Sequence, residues 1–139
     1  MLFLKSNISL MNKFILDFEV RDYECDLQGI VNNAVYQNYY EHARHQYLKN
    51  AGLDFATLHQ QGIDPVVYRI EIDFKRPLKS GDCFNVETGV IREGNLKFIF
   101  NQEIKMQDRL INKAKVSVVF TSQGKPIPAP TFVLKALGL

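Results

Sequence analysis

Residues 32–52 read NNAVYQNYYEHARHQYLKNAG, and this stretch decides the fold. Tyr36, Tyr40, Ala43 and Tyr47 recur at steps of four, three and four, and Val35, Tyr39, Leu48 and Ala51 widen the apolar stripe. That is the period of a helix with one buried face. Asn32 and Asn33 stand where a short polar side chain can accept from amides that have no helical partner, and Gly52 stands where a glycine commonly ends a helix. One long helix is predicted between them. Its stripe is so rich in aromatic rings that a flat layer would cover it poorly, whereas a strongly curved sheet could wrap it.

Outside the helix the chain reads as strands. Upstream, Phe14, Leu16, Phe18 and Val20 alternate with mostly polar neighbours. Downstream, residues 53–64 hold a short second helix before Pro65, and then Ile70, Ile72 and Phe74 alternate with Glu71, Asp73 and Lys75 until Pro77 stops the run. Ser80, Gly81 and Asp82 make a turn into the face Phe84, Val86, Thr88 and Val90. Gly94 and Asn95 read as a two-residue hairpin turn into residues 96–106. Gln107, Asp108 and Arg109 turn again into a last long strand with Leu110, Ala114, Val116, Val118 and Phe120 toward the core. Gly124, Pro126, Pro128 and Pro130 end the sheet, and residues 131–137 make a terminal helical turn or two. Strand, long helix and four tightly connected strands call for an α+β domain, an antiparallel sheet packed on one principal helix.

A chain of 139 residues fits one such domain and buries a core without disulfides or metals. Its net charge of +2 is too small to argue for nonspecific binding to nucleic acid or a membrane, so an anionic partner has to be held by a local cluster of bases. Cys25 and Cys83 form no CxxC pair and read as reduced thiols of a cytoplasmic protein. Lys5, Ser6 and Asn7 interrupt the apolar start before an export signal could form, and residues 1–12 read as a loose extension.

The chemistry points to residues 23–36, YECDLQGIVNNAVY, where an acid lies in a loop that runs through a glycine into a helix N-terminus. The first amides of a helix lack internal partners and carry partial positive charge, so a carbonyl oxygen docked there is polarised. A carboxylate on the preceding loop can reach the same carbonyl carbon, or a water beside it. Asp26 as nucleophile or general base and the helix end near Asn33 as oxyanion donor make a minimal acyl-transfer site. An isolated loop Asp before a helix is more often only a cap or turn residue.

The run from Asp26 through Gly29, Val31, Asn32, Asn33 and Tyr36 to Glu41 and Arg44 resembles the signature of hotdog-fold thioesterases of the 4-hydroxybenzoyl-CoA and acyl-CoA thioesterase type. Residues 72–82, IDFKRPLKSGD, resemble the same family's strand and proline turn. The resemblance implies a hotdog fold, a curved antiparallel sheet around one long helix, and a homodimer or homotetramer with interfacial active sites. It implies an acyl-CoA or acyl-carrier-protein substrate and no cofactor. Asp26 falls on the family's catalytic carboxylate, and Asn33 falls where several members carry His or Tyr, the backbone N–H there being the group that polarises the thioester. Tyr36, Glu41 and Arg44 match the helix part of the motif. Glu41 and Arg44 are also spaced for an intrahelical ion pair. Tyr40, Tyr47, Val67 and Tyr68 are candidates for an acyl tunnel, and Lys75 and Arg76, with Lys79 close by, form the densest basic cluster for CoA phosphates or phosphopantetheine.

Two other chemistries are weaker. Cys25 could pair with His42 or His45 as a nucleophile, but both histidines sit well inside the helix, and His42, His45 and His59 have no ligand-like spacing for a metal. A non-catalytic module that binds acyl thioesters would keep the fold but has no need of Asp26, and a hotdog dehydratase would carry a different motif.

Overall fold

A computed structural model describes residues 13–139, so the extension expected over residues 1–12 lies outside the described residues. Strand β1 (Phe14–Glu19) leads through a 3-10 turn (Asp22–Glu24) to helix α1 (Asn33–Asn50), the helix expected from the aromatic stripe. The Asn32 side chain caps it by accepting from the Ala34 N–H at 2.9 Å. A short helix α2 (Phe55–Gln60) precedes β2 (Asp64–Phe74), and then β3 (Cys83–Glu93), β4 (Lys97–Met106) and β5 (Arg109–Ser122) follow. A short β6 (Lys125–Ile127) and helix α3 (Thr131–Leu137) complete the chain.

The sheet is antiparallel, in the order β1-β3-β4-β5-β2, with β6 also paired to β5. Helix α1 lies against its buried face. The Tyr39 ring meets Phe84 at 4.8 Å and stacks obliquely near Phe18 at 5.6 Å, and Tyr47 meets Phe100 edge-on at 6.2 Å. Tyr36, Tyr39, Tyr40, Ala43 and Leu48 of α1 are buried together with Phe84, Val86, Phe98, Phe100, Ile104, Val116 and Val118 from the sheet.

Two local expectations are corrected and one is narrowed. The loop between β3 and β4 spans residues 94–96, since Glu93 pairs with Lys97, so it is one residue longer than the Gly94-Asn95 turn expected. The turn expected at Gln107, Asp108 and Arg109 is present and is confined to Gln107 (φ 51°) and Asp108 (φ 63°), between paired Met106 and Arg109, with positive φ that no glycine signals. The sheet also continues past Gly124, because Gln123 and Gly124 take positive φ and turn the chain back along β5.

Two irregularities shape the candidate site. Tyr68 is the extra residue of a β-bulge in β2, and Ile111 is the extra residue of one in β5. Ile111 is buried, and its carbonyl accepts from both the Lys75 and Arg76 amides at 2.9 Å, which fixes the basic turn after β2. Strand β2 is a sheet edge that starts earlier than the alternation suggested, with Pro65 at its first turns of ladder, and Val66, Val67, Tyr68, Ile70 and Phe74 along it are exposed.

Candidate active site

The loop before α1 is a small closed unit. Cys25 and Val31 pair across its base, the Asp26 N–H donates to the Ile30 carbonyl at 2.9 Å, and the Gly29 N–H donates to the Asp26 carbonyl at 3.0 Å. Gly29 has φ 79°, a conformation that a side chain would strain. The loop is tied to the strand connection by Val31 N–H to Leu78 O at 2.9 Å and an Ile30–Lys79 bridge. Asp26 is exposed at its head, and one carboxylate oxygen accepts from the Gln28 N–H at 2.8 Å in an Asx turn. Leu27 beside it is fully exposed.

Where the loop enters α1, the first amides divide the acceptors among them. Ala34 donates to the Asn32 side chain and Val35 to the Asn32 carbonyl, whereas the Asn33 N–H has no protein acceptor among the described residues. Asn33 lines a cavity of about 260 Å³ together with Val31, Tyr36, Phe74, Lys75 and Arg76. Thus the structure brings an unpartnered helix-end amide and two basic residues to one cavity, with the Asp26 loop adjoining it. The Arg76 guanidinium is held by the Leu110 carbonyl at 3.0 Å, and Lys75 is exposed. Tyr36 is buried, its hydroxyl accepts from the Leu78 N–H at 3.2 Å, and burial raises its pKa above the ordinary tyrosine value. Gly29 and Asn32 serve the loop and the cap, and neither lines this cavity.

A second cavity, about 330 Å³, opens between α1 and the β2 edge. It gathers Glu41, Arg44 and Val67 from the expected set, with apolar walls from Leu48, Phe55, Ile70, Phe100 and Phe120. Tyr68, displaced by the bulge, is not among its lining residues, and Tyr40 and Tyr47 are engaged in the core instead. The Glu41–Arg44 ion pair is not formed. Glu41 sits 3.7 Å from His45 at the exposed edge, while Arg44 reaches beneath the helix and donates from Nη1 to Gln102 Oε1 at 3.1 Å. Burial lowers the Arg44 pKa from its ordinary value, with Glu41 acting in the opposite sense.

Gln102 extends this into a buried network, donating from Nε2 to the Tyr40 carbonyl and to Thr88 Oγ1, each at 3.0 Å. The Tyr40 hydroxyl donates to Asn112 Oδ1, and Asn112 Nδ2 is buried without a partner. The sequence carried a signal for this network that alternation alone passes over: Thr88, Gln102 and Asn112 are polar residues in the core-facing phase of three adjacent strands.

The rival chemistries are not assembled. His42 packs edge-on against Phe18 and His45 against Phe55, His59 pairs with Asp64 at 2.7 Å, and Cys25 and Cys83 are free thiols. No group of three potential metal ligands occurs among the described residues, and none of their helices is long and apolar enough to cross a membrane.

The chain is 32% identical to the acyl-CoA thioesterase YbgC of Haemophilus influenzae over 114 residues, covering 80% of this chain and 84% of that protein. It is 28% identical to the chloroplastic acyl-acyl carrier protein thioesterase ATL3 of Arabidopsis thaliana over 121 residues, 85% of this chain but only 64% of the plant protein. Its fold superposes on the crystal structure of an Aquifex aeolicus protein with a TM-score of 0.85 at 29% identity, covering 89% of this chain and 98% of that one. The architecture is the hotdog fold, and since the pattern of the thioesterase-like superfamily matches residues 20–137, the chain belongs to that superfamily of thioester hydrolases.

Proposed function

We propose that the protein hydrolyses acyl-CoA thioesters to free acid and CoA in the cytoplasm. The observation that carries this reading is Asn33, whose N–H has no protein acceptor among the described residues and which lines a cavity with Lys75 and Arg76 beside the Asp26 loop. A thioester carbonyl docked on that amide gains a donor where charge develops in the tetrahedral transition state. Asp26 either attacks the carbonyl carbon, expelling the thiolate and leaving a mixed anhydride for water to open, or takes a proton from water as that water attacks. Both routes consume one water and release one thiol. Lys75 and Arg76 lie where a phosphate-bearing CoA arm would leave the cavity.

The same reading includes a homodimer or homotetramer. Among the described residues, strand β2 leaves an unpaired edge with Val66, Tyr68, Ile70 and Phe74 exposed, and antiparallel pairing with the β2 of a second copy would cover that edge and bring a second chain beside the α1–β2 cavity. The names of the relatives favour both CoA and carrier-protein substrates, and the small cationic rim favours CoA.

The test is thiol release from short, long and aromatic acyl-CoAs and from acyl-carrier proteins, with wild type beside Asp26→Asn. Turnover of CoA thioesters that the substitution abolishes supports the assignment. Turnover of carrier-protein thioesters alone would overturn the choice of CoA, and turnover unchanged in Asp26→Asn would overturn the role of Asp26.

A further inference from the structure

Arg44 is 8% exposed and lines the 330 Å³ cavity, yet its one side-chain hydrogen bond among the described residues is to the neutral amide of Gln102. A buried guanidinium carries five donors and a charge that an amide oxygen does not neutralise. Besides Arg44 the wall carries Glu41 and His45, and the rest of it is apolar, with Leu48, Phe55, Val67, Ile70, Phe100 and Phe120 prominent. Glu41 lies at its exposed rim, and His45 is turned against the Phe55 ring at 4.3 Å. An apolar pocket with one such convergent donor selects a ligand that is mostly hydrocarbon and carries an acceptor at one place.

The position of the donor sets that place. Arg44 is eleven residues along α1 from Asn33, which is about 16 Å of helix axis, and helical side chains lean back toward the N-terminus. The backward lean shortens the gap to about 12 Å, and since an extended hydrocarbon advances about 1.3 Å per bond, each bond of about 1.5 Å being inclined to the chain axis, that corresponds to roughly ten carbons. The geometry points to the α1–β2 cavity as the seat for the far end of the acyl group, with Arg44 selecting acyl chains of about ten carbons that end in an oxygen acceptor, a hydroxyl or a carboxylate. This inference rests on the thioesterase reading for its reaction but not for its binding site.

Two readouts separate the two. The first compares kcat/KM for decanoyl-CoA with that for 10-hydroxydecanoyl-CoA and for the mono-CoA thioester of decanedioic acid. A preference of about 10- to 100-fold for the oxygenated chains is expected, as for a hydrogen bond to a charged donor, and Arg44→Met should bring the ratio toward one. Equal rates on the three substrates, or a preference that survives in Arg44→Met, would overturn the inference. The second readout is titration of wild-type protein with S-decyl-CoA and S-(10-hydroxydecyl)-CoA, thioethers that no hydrolase cleaves and whose only difference is the far terminus. Tighter binding of the hydroxylated thioether supports the pocket even where no thioester is cleaved, and equal binding counts against it. Should Arg44→Met fail to fold, Val67→Trp fills the cavity from the exposed strand: it should weaken binding of both ten-carbon thioethers, and unchanged binding would place the chain elsewhere.

Discussion

The two ends of the α1–sheet contact are built by opposite rules. At the N-terminal end, Asp26 is exposed on a loop held by backbone bonds, and the Asn33 amide is left without an acceptor among the described residues. In the middle of the helix, Tyr40, Arg44, Gln102, Thr88 and Asn112 are buried and bonded to one another. The first arrangement leaves a donor in reserve at the surface, whereas the second holds the helix in register on the sheet and keeps in reserve only the Arg44 donors that Gln102 does not use. Substitutions at the first end should cost activity without stability, and those in the middle should cost stability first.

The largest contrast comes from Asp26→Asn. Its amide oxygen can still accept from the Gln28 N–H, so the Asx turn persists and the unfolding midpoint in urea should hardly move. On the proposed role of Asp26 as base or nucleophile, thioester turnover should fall by about 10²- to 10⁴-fold. A parallel fall in stability would show that the loop, and not the charge, had been damaged.

Asn33→Pro sharpens the same end. Asn33 is the first residue of α1, a position where proline is tolerated, and Asn32 before it has the extended backbone (φ −61°, ψ 136°) that a following proline requires. The substitution therefore removes the N–H with little cost to the helix. A loss of about 10²- to 10³-fold in kcat is expected if that amide donates to the oxyanion, while Asn33→Ala, which keeps it, should stay within about threefold. Equal effects of the two changes would shift the role to the side chain.

In the middle, Gln102→Leu strips Arg44 Nη1 of its acceptor and Tyr40 and Thr88 of a donor. Leaving a buried guanidinium and a carbonyl short of partners should cost about 2–4 kcal/mol in urea unfolding, with turnover per folded molecule changed far less than by Asp26→Asn.

The same division explains what the sequence disclosed. The helix was legible because its aromatic stripe keeps a helical period, and the strands because Phe84, Val86 and Thr88 or Ala114, Val116 and Val118 alternate with exposed neighbours. Asp26 and Asn33 were legible because a short contiguous motif carries loop, glycine and cap together. The α1–β2 cavity was not, since Phe55, Ile70, Phe100 and Phe120 come from four elements that only the fold brings together. Arg44's partner was hidden for the same reason: Gln102 lies 58 residues away on a strand, while Glu41, three residues away, was the pairing that local spacing suggested. The turn at Gln107 and Asp108 was legible as a turn, but its positive φ was not, because the paired strands impose it on residues that do not advertise it.

His45 gives the smallest and most pointed comparison, because it sits at the border of the two regions. Burial against Phe55 lowers its pKa below 6.5, with Glu41 opposing the shift and Arg44 reinforcing it. The unfolded chain therefore takes up this proton first as pH falls. Stability tied to His45 is present above the unfolded value of 6.5 and is lost below it, as pH drops toward the folded pKa. Its side chain is 40% exposed, so the effect should stay under about 0.5 kcal/mol once solvent screening is allowed for. Urea unfolding at pH 7 and at pH 5.5, in wild type and in His45→Gln, isolates it from His42 and His59, which both proteins retain. The substitution should flatten the acid side of the stability curve; a steeper acid loss in the variant would mean that the protonated imidazole is held by Glu41 more strongly than burial opposes it.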